Sequence, residues 1–181
     1  MKQKKQIIIF TDLDGSLLDK DTFRFDEIEN YFRELISIGI KIIPNSSKTE
    51  AELSDFNNQY NLNLSFVAEN GSSIHGLNLI HKNLPERISL SRSTDQIYKV
   101  YSENIPSDLK QKITFILKLK SKEQKEIFGL PFNKMMLAIK RDHTIPIQFN
   151  GNENEKNEFI KIMNNSGLTI QTGGRIMNIC D

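Results

Sequence analysis

The sequence predicts an α/β fold: an incomplete parallel sheet core with packed helices over residues 1–83, followed by an α+β module over residues 84–181. Three observations carry this reading. Ile7-Ile8-Ile9-Phe10 is an unbroken β-branched and aromatic run without polar alternation, the pattern of a strand covered on both faces. A helix-periodic stretch separates it from a second such run, Ile40-Lys41-Ile42-Ile43, which makes residues 5–43 one βαβ unit with a right-handed crossover. Beyond about residue 83 the strand–helix alternation stops, and helical patterns lead into a hairpin.

In chain order, the first run delivers Asp12 at its carboxyl end. From Asp26 to Gly39, the residues Ile28, Tyr31, Phe32, Leu35 and Ile36 recur at helical spacing, with Asp26 and Glu29 placed as a capping box and Gly39 as the stop. Pro44-Asn45-Ser46-Ser47 ends the second strand. Ser47 with Glu50 then gives another capping signature, opening a helix through Leu53, Phe56 and Tyr60. Leu64 to Ala68 reads as a third strand, turned by Glu69-Asn70-Gly71 into Ser72 to His75, with another turn at Gly76-Leu77-Asn78. Asn83 to Asp95, polar and containing Pro85, is the expected linker. The second module is expected to hold helices from Ser107 to about Lys122, from Pro131 to Lys140 and from Asn154 to Asn165. Its strands are expected at Ile145 to Phe149, Leu168 to Gln171 and Arg175 to Ile179.

Composition narrows the function classes. With 24 Lys+Arg against 23 Asp+Glu the net charge is +1, so nothing general attracts nucleic acid or an anionic membrane. Any phosphate affinity must be local. The single cysteine, Cys180, excludes an intramolecular disulfide, and no segment reaches the roughly 18 apolar residues of a membrane span. The basic start is followed by an apolar run that breaks at Thr11-Asp12, too short for a signal-peptide core, and a cytoplasmic protein is expected. His75, His81 and His143 show no metal-ligand spacing. The lysines at 118, 120, 122 and 125 read as a solvated face.

Two loops carry the chemistry, both at the carboxyl edge where open α/β sheets bind ligands. Asp12 and Asp14, separated by Leu13 and followed by Gly15, present two carboxylates on one side of a strand tip. One can attack a phosphoryl group while the other shuttles a proton, provided that a cation and fixed donors neutralise the phosphate oxygens. A calcium loop is excluded, since glycine stands fourth and Phe23 twelfth where that loop needs glycine sixth and glutamate twelfth. Ser46, at the end of the second strand and ahead of a helix with free N–H groups, offers a phosphate cradle to which Ser47 and Lys48 contribute a further donor and a charge. Ser47 is better explained as the helix cap.

Phe10-Thr11-Asp12-Leu13-Asp14-Gly15-Ser16-Leu17-Leu18-Asp19, Ile42-Ile43-Pro44-Asn45-Ser46-Ser47-Lys48-Thr49-Glu50-Ala51-Glu52 and Ala68-Glu69-Asn70-Gly71 resemble successive motifs of the haloacid dehalogenase-like (HAD) phosphatases. More narrowly, Ser47-Lys48-Thr49, Arg141 with Pro146, and Gly173-Gly174-Arg175 resemble the mannosyl-3-phosphoglycerate phosphatases and their glucosyl-specific relatives. The resemblance implies a Rossmann-like core with an α+β cap, and a magnesium-dependent phosphomonoesterase acting through an aspartyl-phosphate. Asp12 is then the nucleophile, Asp14 the general acid/base and Ser46 the phosphate ligand. Mg2+ would be held by the Asp12 carboxylate and the Asp14 carbonyl, with Glu69, Arg141, Gly174 and Arg175 near a small sugar or sugar-glycerate phosphate. Glu69-Asn70-Gly71 also fits a structural turn, Gly173-Gly174 a hairpin, and Arg141 a cation closing a helix.

The family continues beyond the hairpin into a half-core that supplies a lysine and an acidic metal loop, whereas this sequence ends at Ile179-Cys180-Asp181. Losing a cation and a metal ligand costs phosphoryl transfer on the order of 4 kcal/mol or more. The alternative expectation is therefore an impaired remnant or a phosphate-ester binding protein. A sheet cut to about three strands is also expected to self-associate through its exposed edge.

Overall fold

The computed structural model describes residues 6–19, 24–173 and 176–181. The chain forms two compact units, one within residues 1–48 and 53–88, the other within residues 49–52 and 89–181. No helix among the described residues is long and apolar enough to cross a membrane.

In the first unit, β1 (Ile8–Thr11) pairs in parallel with β2 (Lys41–Pro44), Ile9 opposite Ile42, and α1 (Glu29–Ser37) forms the crossover between them. α2 (Glu50–Gln59) follows, its first turn grouping with the second unit. β3 (Phe66–Ala68) continues the edge through a parallel bridge between Asn45 and Val67 and turns into antiparallel β4 (Ser73–His75). The short α3 (Leu77–Ile80) leads to β5 (Arg87–Ser89), so the expected linker contains a strand ordered beside β4. The core gathers around Phe25, fully buried, whose ring meets Phe32 at 5.1 Å, Phe56 at 5.4 Å and Tyr60 at 4.9 Å in edge-on contacts.

Two expectations fail in this unit. β1 is not buried: Phe10 is 64 % exposed and Ile8 41 %, because β1 pairs only with β2 among the described strands and forms the edge of its sheet. Its apolar run has the composition of a two-sided strand without the cover. The α1 capping box does not form either. The helix starts at Glu29 behind Ile28 with no side-chain cap, and Asp26 is drawn instead into an ion pair with Arg24.

The second unit opens with α4 (Thr94–Asn104), which the sequence reading passed over although its signal is present: Ser93 and Gln96 form a reciprocal capping box. The helix expected from Ser107 to Lys122 is replaced by the single-turn α5 (Ser107–Lys110), the strand β6 (Ile113–Phe115) and a short 3-10 turn. Leu109, Ile113 and Ile116 sit at helical spacing, but Ile113 and Thr114 are β-branched and pair with Phe149 and Gln148 across the sheet. α6 (Ser121–Phe128) and α7 (Phe132–Ala138) precede β7 (Ile145–Phe149). α8 (Glu153–Asn165) then leads into the hairpin of β8 (Thr169–Gly173) and β9 (Ile176–Cys180). The antiparallel sheet has the order β6-β7-β9-β8. On one face Ile97 and Tyr101 of α4 and Phe159 and Met163 of α8 pack with Ile145, Ile147, Met177 and Ile179.

Burial, helped by the charge of nearby Tyr98, pushes the Tyr101 phenol up from its ordinary 10 to about 12. The folded state thus holds a proton that the unfolded state gives up first. The Tyr101 contribution is fully present below pH 10 and is lost as pH rises from 10 towards 12. Tyr101→Phe should flatten the loss of stability over that window, read from urea midpoints at pH 9, 10 and 11; an unchanged alkaline slope would show that other groups cause it.

Candidate active site

The pairing of β1 with β2 builds the site. Their register sets Thr11 opposite Pro44, and one step on the Asn45 N–H donates to the Thr11 carbonyl at 2.8 Å. Asp12 and Ser46 are the residues that follow this bond on the two strands, so the two loops leave the sheet side by side.

Leu13, in the turn after β1, is 1 % exposed and inserted in the core with Leu17 and Leu18, whereas the flanking Asp12 is exposed and Asp14 half-buried. The loop closes through Leu18 N–H to the Leu13 carbonyl at 2.8 Å and Gly15 N–H to the Leu18 carbonyl at 2.9 Å, with Gly15 at φ 74°. Asp12 is exposed, and its Oδ1 accepts from the Leu13 N–H at 2.7 Å. Asp14 is half-buried: Oδ2 lies 2.8 Å from Lys48 Nζ, and Oδ1 is buried with no hydrogen-bond partner among the described residues. An unsatisfied buried oxygen costs about 1–3 kcal/mol.

The Ser46 loop is held from β3. The buried Ser46 donates its N–H to the Val67 carbonyl at 3.1 Å, and its own carbonyl accepts from Asn70 N–H at 3.0 Å. Its Oγ accepts from Lys48 N–H at 3.3 Å, which leaves the hydroxyl proton to donate outward. The Lys48 carbonyl accepts from Glu69 N–H at 2.9 Å. These last bonds require Glu69, Asn70 and Gly71 to take φ values of 47°, 62° and 95° in succession. Asn and Gly adopt the left-handed region readily; for Glu69 it costs on the order of 1–3 kcal/mol, offset by the bonds that the turn makes. Glu69-Asn70-Gly71 is therefore a turn, and one that fixes the backbone of Ser46 and Lys48.

α2 begins at Glu50, so its N-cap position falls at Thr49 rather than at the expected Ser47. The box lies two residues on, with Thr49 N–H donating to Glu52 Oε2 at 2.9 Å and Glu52 N–H to Thr49 Oγ1 at 3.2 Å. Ser47 and Thr49 offer the same chemistry in sequence, and each has an acidic residue three positions on.

The first unit thus brings together Asp12, Asp14, Ser46, Ser47, Lys48 and Glu69. Arg141 lies in the second, where Nε donates to the Ala138 carbonyl at 3.1 Å and Nη1 to Thr144 Oγ1 at 2.8 Å, closing α7. Gly174 and Arg175 lie outside the described residues. Sequence reasoning missed the Lys48–Asp14 contact and the role of the Glu69 and Asn70 amides. For these amides the run of Glu-Asn-Gly was the available signal. Among the described residues no group of three or more His, Cys, Asp or Glu side chains could hold a metal ion.

Comparison with known proteins matches residues 9–173 to the haloacid dehalogenase-like hydrolase family. A glucosyl-3-phosphoglycerate/mannosyl-3-phosphoglycerate phosphatase of Methanococcoides burtonii is 29 % identical over 181 residues, covering 95 % of this chain and 66 % of the relative. A protein of the same name from Persephonella marina is 25 % identical over 191 residues, covering 96 % and 66 %. The chain therefore spans about two-thirds of the length of these curated relatives. Among solved structures, a haloacid dehalogenase-like hydrolase from Bacteroides thetaiotaomicron aligns over 97 % of this chain and 71 % of its own, with TM-score 0.65 and 14 % identity. A HAD subclass IIB sugar phosphatase aligns over 97 % and 70 %, with TM-score 0.60 and 15 % identity. These two likenesses establish the fold.

If Lys48 is the local cation of this site, Lys48→Ala should weaken binding of inorganic phosphate by roughly tenfold, the loss of one charge-assisted contact, without lowering the melting temperature. Calorimetric titration checks it, and equal affinities of variant and parent would remove Lys48 from the site.

Proposed function

The chain belongs to the haloacid dehalogenase-like hydrolase family, and on that premise we propose that it is a phosphomonoester hydrolase that works through an aspartyl-phosphate. The observation that carries the proposal is the Asn45–Thr11 hydrogen bond, which sets an exposed carboxylate, Asp12, beside a buried serine hydroxyl, Ser46.

In this mechanism a carboxylate oxygen of Asp12 attacks phosphorus as the bond from phosphorus to the sugar oxygen breaks. Asp14, which enters this step protonated once Lys48 turns to the phosphate, hands its proton to the departing oxygen, then takes one from the water that splits the acyl phosphate and frees inorganic phosphate and Asp12. Ser46 donates its hydroxyl to a phosphate oxygen, and Lys48 supplies positive charge while Ser47 lines the same loop. Magnesium suits the donor set, two hard oxygens on one loop, since Mg2+ accepts one or two carboxylates with waters and substrate oxygens. The Asp12 carboxylate and the Asp14 carbonyl would hold it, and Asp14 Oδ1, buried without a partner among the described residues, leaves an acceptor for a metal-bound water. Bound there, the ion would neutralise the charge of the transferring phosphoryl group.

We propose mannosyl- or glucosyl-3-phosphoglycerate, or a related small sugar phosphate, as substrate, and the cytoplasm as its setting. The names of the curated relatives support the substrate, as does the resemblance of the Ser47-Lys48-Thr49 and Gly173-Gly174-Arg175 segments. Glu69, Arg141, Gly174 and Arg175 are the residues proposed to meet the substrate outside its phosphate.

Asp12→Asn tests the proposal. Magnesium-dependent phosphate release from mannosyl-3-phosphoglycerate should fall by at least about a thousandfold, the scale of removing a nucleophile, while phosphate-ester binding by calorimetry persists. Release that is equal in both proteins would overturn the nucleophile role, and binding without release in the parent would mark a phosphate-ester binding protein.

The exposed β1 edge carries a second expectation: the purified chain self-associates through Ile8 and Phe10. Light scattering should give a mass above the monomer that falls on Phe10→Lys, and a monomeric parent chain would refute it.

A further inference from the structure

Within the first unit, β2 and the segment that leads into β3 diverge below the Asn45–Val67 bridge. Lys41–Pro44 pair with β1 alone among the described strands, and the Ser46 N–H on the Val67 carbonyl at 3.1 Å closes the seam only at its carboxyl end. The wedge that opens below is a pocket of about 80 Å³, walled by Ile40 and Ile43 at β2, by Leu64 ahead of β3 and by Leu79 and Ile80 of α3. It lies at the end of β2 remote from the candidate active site. Lys41 and Ser46 are five residues apart in the chain, on the order of 16 Å along an extended backbone.

One residue of this lining breaks its apolar character. Lys41 is the one charged residue around the pocket among the described residues, and it is half-buried. Its Nζ donates to the carbonyl of Leu79, another lining residue, at 3.4 Å, and meets no carboxylate among the described residues. A lysine that merely followed an apolar surface out to water would carry its ammonium clear of the pocket. Here the ammonium stays at the rim with its charge unanswered. The Ser65 hydroxyl adds no free donor, since it is committed to the Gly76 carbonyl at 2.6 Å. Water in so apolar a space lacks the roughly two to four polar partners that hold it, so the walls suit carbon and the rim suits an anion. A single ammonium matches a single negative charge; a phosphate would bring a second charge to an apolar wall that cannot pair it.

We propose that this pocket binds a small monocarboxylate with an apolar body, an aromatic or short-chain acid, its carboxylate on Lys41 Nζ and its carbon in the wedge. The site is independent of the phosphatase reading, and its test needs no turnover. In methyl-detected NMR titrations of the full chain with benzoate, the signals of Ile40, Ile43, Leu64, Leu79 and Ile80 should shift with saturation, and excess inorganic phosphate should leave the affinity unchanged. Benzyl alcohol, a neutral analogue of similar size, should bind about tenfold more weakly, the loss of one charge-assisted contact. Lys41→Met, which keeps the length of the aliphatic stem, should remove that preference. The absence of a saturable shift with benzoate, equal affinities for benzoate and benzyl alcohol in the parent, or a preference that survives in Lys41→Met each overturns the proposal. Shifts confined to the Asp12 and Ser46 loops, or displacement by phosphate, would put the carboxylate in the phosphate cradle and overturn the pocket as its site. If Lys41→Met fails to fold, the comparison of the two ligands on the parent decides alone.

Discussion

A single peptide hydrogen bond organises the candidate site. Parallel pairing of β1 and β2 is slanted and evenly spaced, so fixing Ile9 opposite Ile42 fixes every later residue of both strands, up to the Asn45 N–H on the Thr11 carbonyl. A slip by one residue would part the Asn45 N–H from the Thr11 carbonyl and put the Asp12 and Ser46 loops out of step. The chemistry of the Asp12 loop therefore depends on a register that the apolar contacts of Ile42 and Leu13 enforce from below.

Rigidity then spreads outward by backbone bonds rather than by side chains. Val67, Glu69 and Asn70 each bond the backbone of the Ser46-Ser47-Lys48 loop, and the three left-handed residues 69–71 bend the chain so that the two amides reach it. A strained backbone beside a candidate phosphate cradle and an unsatisfied Asp14 oxygen mark the same small region. Local energy is given up there while the core around Phe25 holds the unit together.

The two units divide the physical work. The first carries the two carboxylates and a lysine held against Asp14, on a sheet whose outer strand leaves apolar residues exposed. The second is built on strands without a formal charge, with one face of their sheet packed against α4 and α8.

The sequence by itself determined the α/β class, the βαβ start, the positions of β2, α7, β7, α8 and the terminal hairpin, and the Asp12, Asp14 and Ser46 candidates. All of these rest on local periodicity or short spacing, which a chain carries wherever it folds. Only the tertiary structure decided that Ile8 and Phe10 lie open, since a two-sided apolar run says nothing of whether both sides find cover. It also chose β6 over a longer helix, because Ile113 and Thr114 gain partners in β7 that no local pattern shows. It moved the α2 cap from Ser47 to Thr49 and set Lys48 against Asp14, 34 positions away in the chain. Such contacts depend on register and packing between distant segments, which are settled only when the segments meet.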